Sequence, residues 1–236
     1  VSALRGLFLD FDGTIAETER HGHLPAYNRA FSDFDLDWTW DEALYGELLR
    51  VAGGKERIAH YVRAYRSDRD APDEAFIRRL HETKVRHFAA MAPTIPFRRG
   101  VVRLIEAAHA AGVRIAIATT SSEAGVEALI GQRPDVRAKI DLIAGAESAP
   151  RKKPAPDVYL HALERLGLDP RACVAIEDSN NGLRAAVAAG IATVVTVSDY
   201  TRGEDFSAAA AVFPDLGEPG DERLVDLPLL ERIVTR

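Results

Sequence analysis

Gly6-Leu7-Phe8-Leu9-Asp10-Phe11-Asp12-Gly13-Thr14 is the stretch on which the reading of this chain turns. Four uncharged residues run straight into an acidic pair, so the spacing predicts a buried strand that ends where Asp10 begins. Val113–Ala118, Asp141–Ala144, Cys173–Ile176 and Thr193–Val197 have the same character. Between these runs lie alanine-rich segments with helical spacing: Val101–Ala110, Val126–Ile130, Asp157–Leu166 and Leu183–Ala189. Gly112, Gly167 and Gly190 each stand just past such a segment, where a helix is expected to stop. Strands that alternate with helices need crossover connections. The fold class is therefore α/β, with a mainly parallel sheet covered by helices on both faces.

Residues 17–91 break this rhythm. They carry Trp38, Trp40, Tyr45, Tyr61 and Tyr65, much charge, and helical spacing without a clear strand. Leu44, Leu48 and Leu49 fit one helix face, and Ile58, Tyr61, Val62 and Tyr65 fit another. Pro93 and Pro96 punctuate the return to alternation. A helical insertion over 17–91 is expected, with the sheet domain made of 1–16 and 92–236. Trp38 and Trp40 are expected to pack this insertion.

A chain of 236 residues has room for one large domain or two unequal ones. With 30 basic and 36 acidic residues the net charge is -6, which offers no electrostatic reason to expect nucleic acid or an anionic membrane as a partner. No apolar stretch approaches the ~20 residues a membrane helix needs. Cys173 is the only cysteine, so no intrachain disulfide forms, and its apolar neighbours predict burial. No signal peptide is read at the start, and a cytoplasmic monomer is expected.

Four polar clusters follow four of the predicted strands or lie shortly after them. They are Asp10 to Thr14, Thr119-Thr120-Ser121, Lys153-Pro154 and Glu177-Asp178-Ser179. In an open parallel sheet, groups just beyond the carboxyl ends of the strands converge on one crevice. Crowded carboxylates raise one another's pKa unless a cation holds them together. Asp10, Asp178, Glu177 and the backbone carbonyl of Asp12 are hard oxygen ligands suited to Mg2+. Asp10 then reads as a nucleophile that takes a phosphoryl group. Asp12, two residues on, reads as the acid and base for leaving group and water. Thr119 and Lys153 supply a hydroxyl and a positive charge for phosphoryl oxygens, with Thr120 and Ser121 beside them. Taken singly, each cluster has a plainer reading as a turn, a helix cap or a solvated cation. Their joint occurrence at strand ends favours the chemical one.

These residues resemble the four motifs of the haloacid dehalogenase-like hydrolases over nearly the whole chain. The resemblance implies a Rossmann-like core with an all-helical cap inserted after the first motif. Within that superfamily the chain is most similar to the CbbY branch, through Glu17-Thr18-Glu19, Ala26-Tyr27-Asn28, Gly53 to Ile58, Lys152 to Asp157 and Tyr200-Thr201-Arg202. That branch implies a sugar-phosphate phosphatase, with xylulose-1,5-bisphosphate, an inhibitor of Rubisco, as favoured substrate. A β-phosphoglucomutase-like mutase is the alternative. Arg20-His21-Gly22-His23 is one residue longer than the family type, which makes His23 the expected cap-hinge histidine, with His21 open. An asparagine expected near Gly125 is missing. Lys84 resembles the family's substrate-facing cap lysine, and Lys55, after a glycine pair, can reach an anion. Glu17 at the hinge can accept from sugar hydroxyls. Arg57 is a further candidate, against the plainer reading of Arg57 and Lys84 as surface charge.

Overall fold

The computed structural model describes residues 3–51, 53–66 and 73–235. In chain order its strands are β1 (Gly6–Leu9), β2 (Arg114–Ala118), β3 (Leu142–Ala144), β4 (Cys173–Glu177), β5 (Ala192–Thr196) and β6 (Ala211–Phe213). Its α-helices are α1 (Leu24–Asp33), α2 (Glu42–Leu48), α3 (Gly54–Tyr65), α4 (Glu74–Met91), α5 (Val101–Ala110), α6 (Glu123–Ile130), α7 (Pro134–Arg137), α8 (Asp157–Leu166), α9 (Asn180–Ala188) and α10 (Leu227–Val234). None of the described helices is long and apolar enough to cross a membrane. The chain divides into a sheet unit, Val1–Glu17 with Pro96–Arg236, and a helical unit, Thr18–Ile95.

In the sheet unit the strand order is β3-β2-β1-β4-β5-β6, and every pairing is parallel. Leu7 pairs with Ile115 on one side and Val174 on the other; Leu9 pairs with Ile117 and Ile176. Strand pleating sends Phe8, Ala116, Ala118 and Ala175 to one face, where α8 and α9 pack through Val158, Ala162, Leu163, Ala185 and Ala186. Alanine on both sides of this layer lets the helices lie close to the sheet. The opposite face carries the larger Leu7, Leu9, Ile115 and Ile117, all buried. Burial of each such side chain contributes about 1.5–3 kcal/mol. Both faces are covered, which is why β1 and β4 show no polar alternation. Gly112, Gly167 and Gly190 have φ of 73°, 65° and 81°, the left-handed conformation that ends a helix.

Successive connections run from β1 through β2 to β3 in one direction and from β4 through β5 to β6 in the other. The order therefore reverses between β1 and β4, and the crevice of such a sheet opens beyond the carboxyl ends of those two strands. Three elements of the sheet unit were not expected from sequence, β6, α10 and the four-residue α7. β6 has three residues and none is fully buried, so its pattern is too short to read. α10 begins after Asp226, whose side chain accepts from Leu229 N at 2.9 Å, with proline in the first turn.

The helical unit is built on aromatic packing. Tyr27 and Phe31 of α1, Trp38, Trp40, Tyr45 of α2 and Tyr61 of α3 form one cluster with ring centroids 4.6–6.0 Å apart. Asn28 fixes the entry of Trp40, donating to its carbonyl and accepting from its N–H, both at 2.8 Å. Asp41 and Asp73 cap α2 and α4 through the N–H groups of Leu44 and Phe76, at 2.8 and 2.6 Å. Of the faces expected here, Ile58, Tyr61 and Val62 are buried, whereas Tyr65 at the helix end is exposed.

Candidate active site

β1 stops at Leu9, yet Asp10 N–H still donates to Ile176 O at 3.0 Å, so the backbone of Asp10 is held by the sheet. The chain then folds into a tight turn in which Phe11 O accepts from Ile15 N at 3.0 Å and Gly13 N donates to Ala16 O at 3.0 Å. Gly13 has φ of 77°, and a Cβ there would overlap the Asp178 carboxylate. Only glycine meets both demands. Arg98 braces the turn by donating to Gly13 O, Thr196 O, Val197 O and Pro214 O, while its Nε pairs with Glu17 at 2.9 Å.

The four predicted clusters meet in the sheet unit. Lys153 Nζ lies 2.6 Å from Asp10 Oδ1, 2.6 Å from Glu177 Oε1 and 2.8 Å from Ala118 O. Glu177 Oε1 also accepts from the Tyr159 hydroxyl. Carboxylate oxygens of Asp10, Glu177 and Asp178 all lie within 4.8 Å of one another. The Asp12 carboxylate accepts from Ser121 Oγ at 2.5 Å, and Ser121 N donates to Thr119 Oγ1 at 3.0 Å. Thr119 is buried and its N–H is held by Ala144 O, while Thr120 is partly exposed.

Electrostatics follow from this crowding. Burial raises the Asp10 carboxyl to about 8; Lys153 opposes the rise, and Glu177 and Asp12 add to it. Burial, Asp10 and Glu177 also push Asp178 well above the carboxylate range, against a hydrogen bond from Ser198 and the charge of Arg98. Burial works against the Lys153 ammonium, but Asp10 and Glu177 outweigh it and hold its pKa above the ordinary value. One ammonium among three buried carboxylates leaves an excess of negative charge. A divalent cation with hard oxygen ligands fits that donor set, and Asp10, Glu177 and Asp178 are the residues that would hold it.

His23, Lys55, Arg57 and Lys84 belong to the helical unit and are placed within it. Lys84 Nζ is 2.7 Å from His23 Nδ1 and lies over the rings of Tyr27 and Phe88. His23 is buried and stacks on Phe88, whereas His21 is exposed. Arg57 donates to Leu48 O, the Tyr45 hydroxyl and Val51 O inside the unit. Arg57 and Lys84 are 8% and 6% exposed, so neither is ordinary surface charge. Lys55 is exposed at the start of α3.

Sequence reading missed three residues of this site. Ser198 follows β5 and was findable, because it obeys the same strand-end rule as the other clusters. Tyr159 sits on the apolar face of α8, where a tyrosine reads as core. Arg98 bonds to groups about a hundred positions away, which no local pattern announces.

Residues 4–190 match the haloacid dehalogenase-like hydrolases. The chain belongs to that family and is an enzyme of the hydrolase class. It is 46% identical over 224 residues to the protein CbbY of Cupriavidus necator, covering 92% of this chain and 88% of that one. To CbbY of Rhodobacter capsulatus it is 44% identical over 229 residues, covering 95% and 99%. The crystal structure of a CbbY mutant from Rhodobacter sphaeroides, in complex with xylulose-(1,5)bisphosphate, matches with a TM-score of 0.85 at 39% identity, covering 94% of this chain and 99% of that one. These relatives place the chain in the CbbY branch of the family.

Proposed function

We propose that this hydrolase is a magnesium-dependent phosphatase of small sugar phosphates that works through an aspartyl-phosphate on Asp10, with xylulose-1,5-bisphosphate as favoured substrate. The observation that carries the proposal is the buried contact of Lys153 with Asp10, beside the carboxylates of Glu177 and Asp178. The ligand of the Rhodobacter sphaeroides CbbY structure supports the choice of sugar. In this reading an Asp10 oxygen attacks phosphorus as the bond from phosphorus to the sugar oxygen breaks, and Asp12 gives its proton to the departing oxygen. Asp12 then takes a proton from water, the water oxygen bonds to phosphorus, and Asp10 is released. Lys153 balances charge at Asp10, and the Thr119 hydroxyl is assigned to the phosphoryl oxygens with Thr120 and Ser121 beside it. Asp10, Glu177, Asp178 and the Asp12 carbonyl would hold magnesium, which would neutralise phosphate charge when bound. Glu17, His23, Lys55, Arg57 and Lys84 are the proposed contributors to recognition of the rest of the sugar phosphate. The enzyme is taken to be a cytoplasmic monomer. A phosphate-release screen over sugar mono- and bisphosphates, with and without magnesium, tests the proposal. Isomer formation without net phosphate release would replace it by a mutase, and no turnover on any ester would sink it.

A further inference from the structure

Glu177 is fully buried, and its carboxylate meets the turn before α8, α8 itself and α9. Lys153 and the Tyr159 hydroxyl both donate to Oε1, the first at 2.6 Å. The third side is Gly182 of α9, where any Cβ would overlap the carboxylate. Lys153 is in turn fully committed, with one N–H directed at each of Glu177, Asp10 and Ala118 O. Moving Glu177 therefore moves the ammonium that meets Asp10. Tyr159 is itself fully buried against Phe8, at a ring separation of 6.3 Å. Packing asks only for an aromatic ring at that place. The hydroxyl adds a polar group in a dry layer, a cost offset only by a partner, and its partner is a member of the acidic cluster.

We propose that Tyr159 is a positioning residue of the phosphoryl-transfer site: its hydroxyl holds Glu177 Oε1 against Gly182 and thereby sets where Lys153 meets Asp10. This rests on the reading of Asp10 as nucleophile and Lys153 as its counter-charge. The other oxygen, Oε2, accepts from Asp178 N at 3.3 Å and lies against Gly182. Tyr159→Phe removes one donor and keeps the ring. The carboxylate then turns and the lysine follows, while the three carboxylates that would hold a cation are all kept.

Three measurements on the purified enzyme test this: steady-state phosphate release, calorimetric titration with Mg2+, and thermal unfolding. Tyr159→Phe is expected to lower kcat about tenfold while KM stays within about twofold, as for an interaction that matters in the transition state. Its Mg2+ affinity is expected to equal or exceed that of the wild type. Gly182→Ala presses on the same carboxylate from α9 and is expected to lower kcat in the same way, although alanine is the better helix former. Wild-type kcat in either variant overturns the proposal. So does a loss in Tyr159→Phe accompanied by weaker Mg2+ binding or a proportionate rise in KM, since either makes the effect general damage. A Tyr159→Phe protein that fails to fold overturns it as well, because the hydroxyl would then be a folding element. A wild type that releases phosphate from no ester defeats instead the reading on which the proposal rests.

Discussion

Replacing Asp10 by asparagine should remove activity and, in metal-free protein at alkaline pH, raise stability. The carboxyl of Asp10 is raised from 3.8 to about 8 by burial and by the neighbouring acids, with Lys153 too weak a counterweight. The folded state therefore binds a proton that the unfolded state has lost between those two values. Wild-type stability must then fall as pH rises through that window. A shift of about four units at about 1.4 kcal/mol each sets an upper bound on the order of 5 kcal/mol. Asparagine has the same shape and no charge, so it escapes the penalty. Loss of the proposed nucleophile should cost at least about 10⁴-fold in kcat, the scale seen when a covalent catalyst is removed. In chelator at pH 8, Asp10→Asn should melt several degrees above wild type, given roughly 2–4 °C per kcal/mol for a chain of this size. At pH 4 the two should converge. Scanning fluorimetry at both pH values and phosphate release at saturating magnesium make the assay. A variant that melts below wild type at pH 8, or keeps more than about one percent of turnover, would refute the reasoning.

Three further outcomes are expected. Asp12→Ala should slow sugar phosphates far more than an activated aryl phosphate, whose leaving group needs no proton, and aspartyl-phosphate should accumulate; equal slowing of both esters removes its acid role. Mg2+ affinity should weaken as pH is lowered below about 8, with proton release on binding, because Asp10 must ionise to serve as a ligand; calorimetry in buffers of different ionisation heat reads both, and a flat profile would count against Asp10. Lys84→Ala should lower efficiency on a sugar bisphosphate roughly tenfold to a hundredfold, the worth of a charge-assisted hydrogen bond, and leave a small aryl phosphate nearly unchanged. Equal losses on the two would mean that Lys84 serves the packing of the helical unit with His23 and Phe88.

The sheet was legible because a fully buried parallel strand is apolar throughout and stops abruptly where its carboxyl end meets polar chemistry. Gly6 to Asp10 and Cys173 to Asp178 are both written this way, and the two strands are neighbours in the sheet. β6 escaped because two half-covered residues around an exposed Val212 at a sheet edge carry no such signature. Within the site, the carboxylates and Lys153 could be read because strand ends converge by topology. What could not be read is which donor holds which acceptor. That Tyr159 bonds Glu177, or that Ser121 bonds Asp12, depends on helix placement and rotamer, and a tyrosine on an apolar helix face looks the same with or without an acid beneath it. Arg57 shows the converse: a charge in a polar-looking segment, buried because backbone carbonyls of Leu48 and Val51 and the Tyr45 hydroxyl turn toward it.

Trp38 and Trp40 are the two tryptophans of the chain, and both lie in the aromatic cluster of the helical unit, at 5% and 1% exposure. The sheet unit contains tyrosine and phenylalanine but no indole. Emission from selectively excited indole is therefore a private signal of the helical unit, whereas calorimetry records heat from the whole chain. If the helical unit opens at a lower temperature than the sheet, indole emission shifts to the red before the main heat-absorption peak. If the chain melts as one cooperative body, the two midpoints coincide. The natural placement of two side chains thus lets the stability of one unit be followed without introducing a probe.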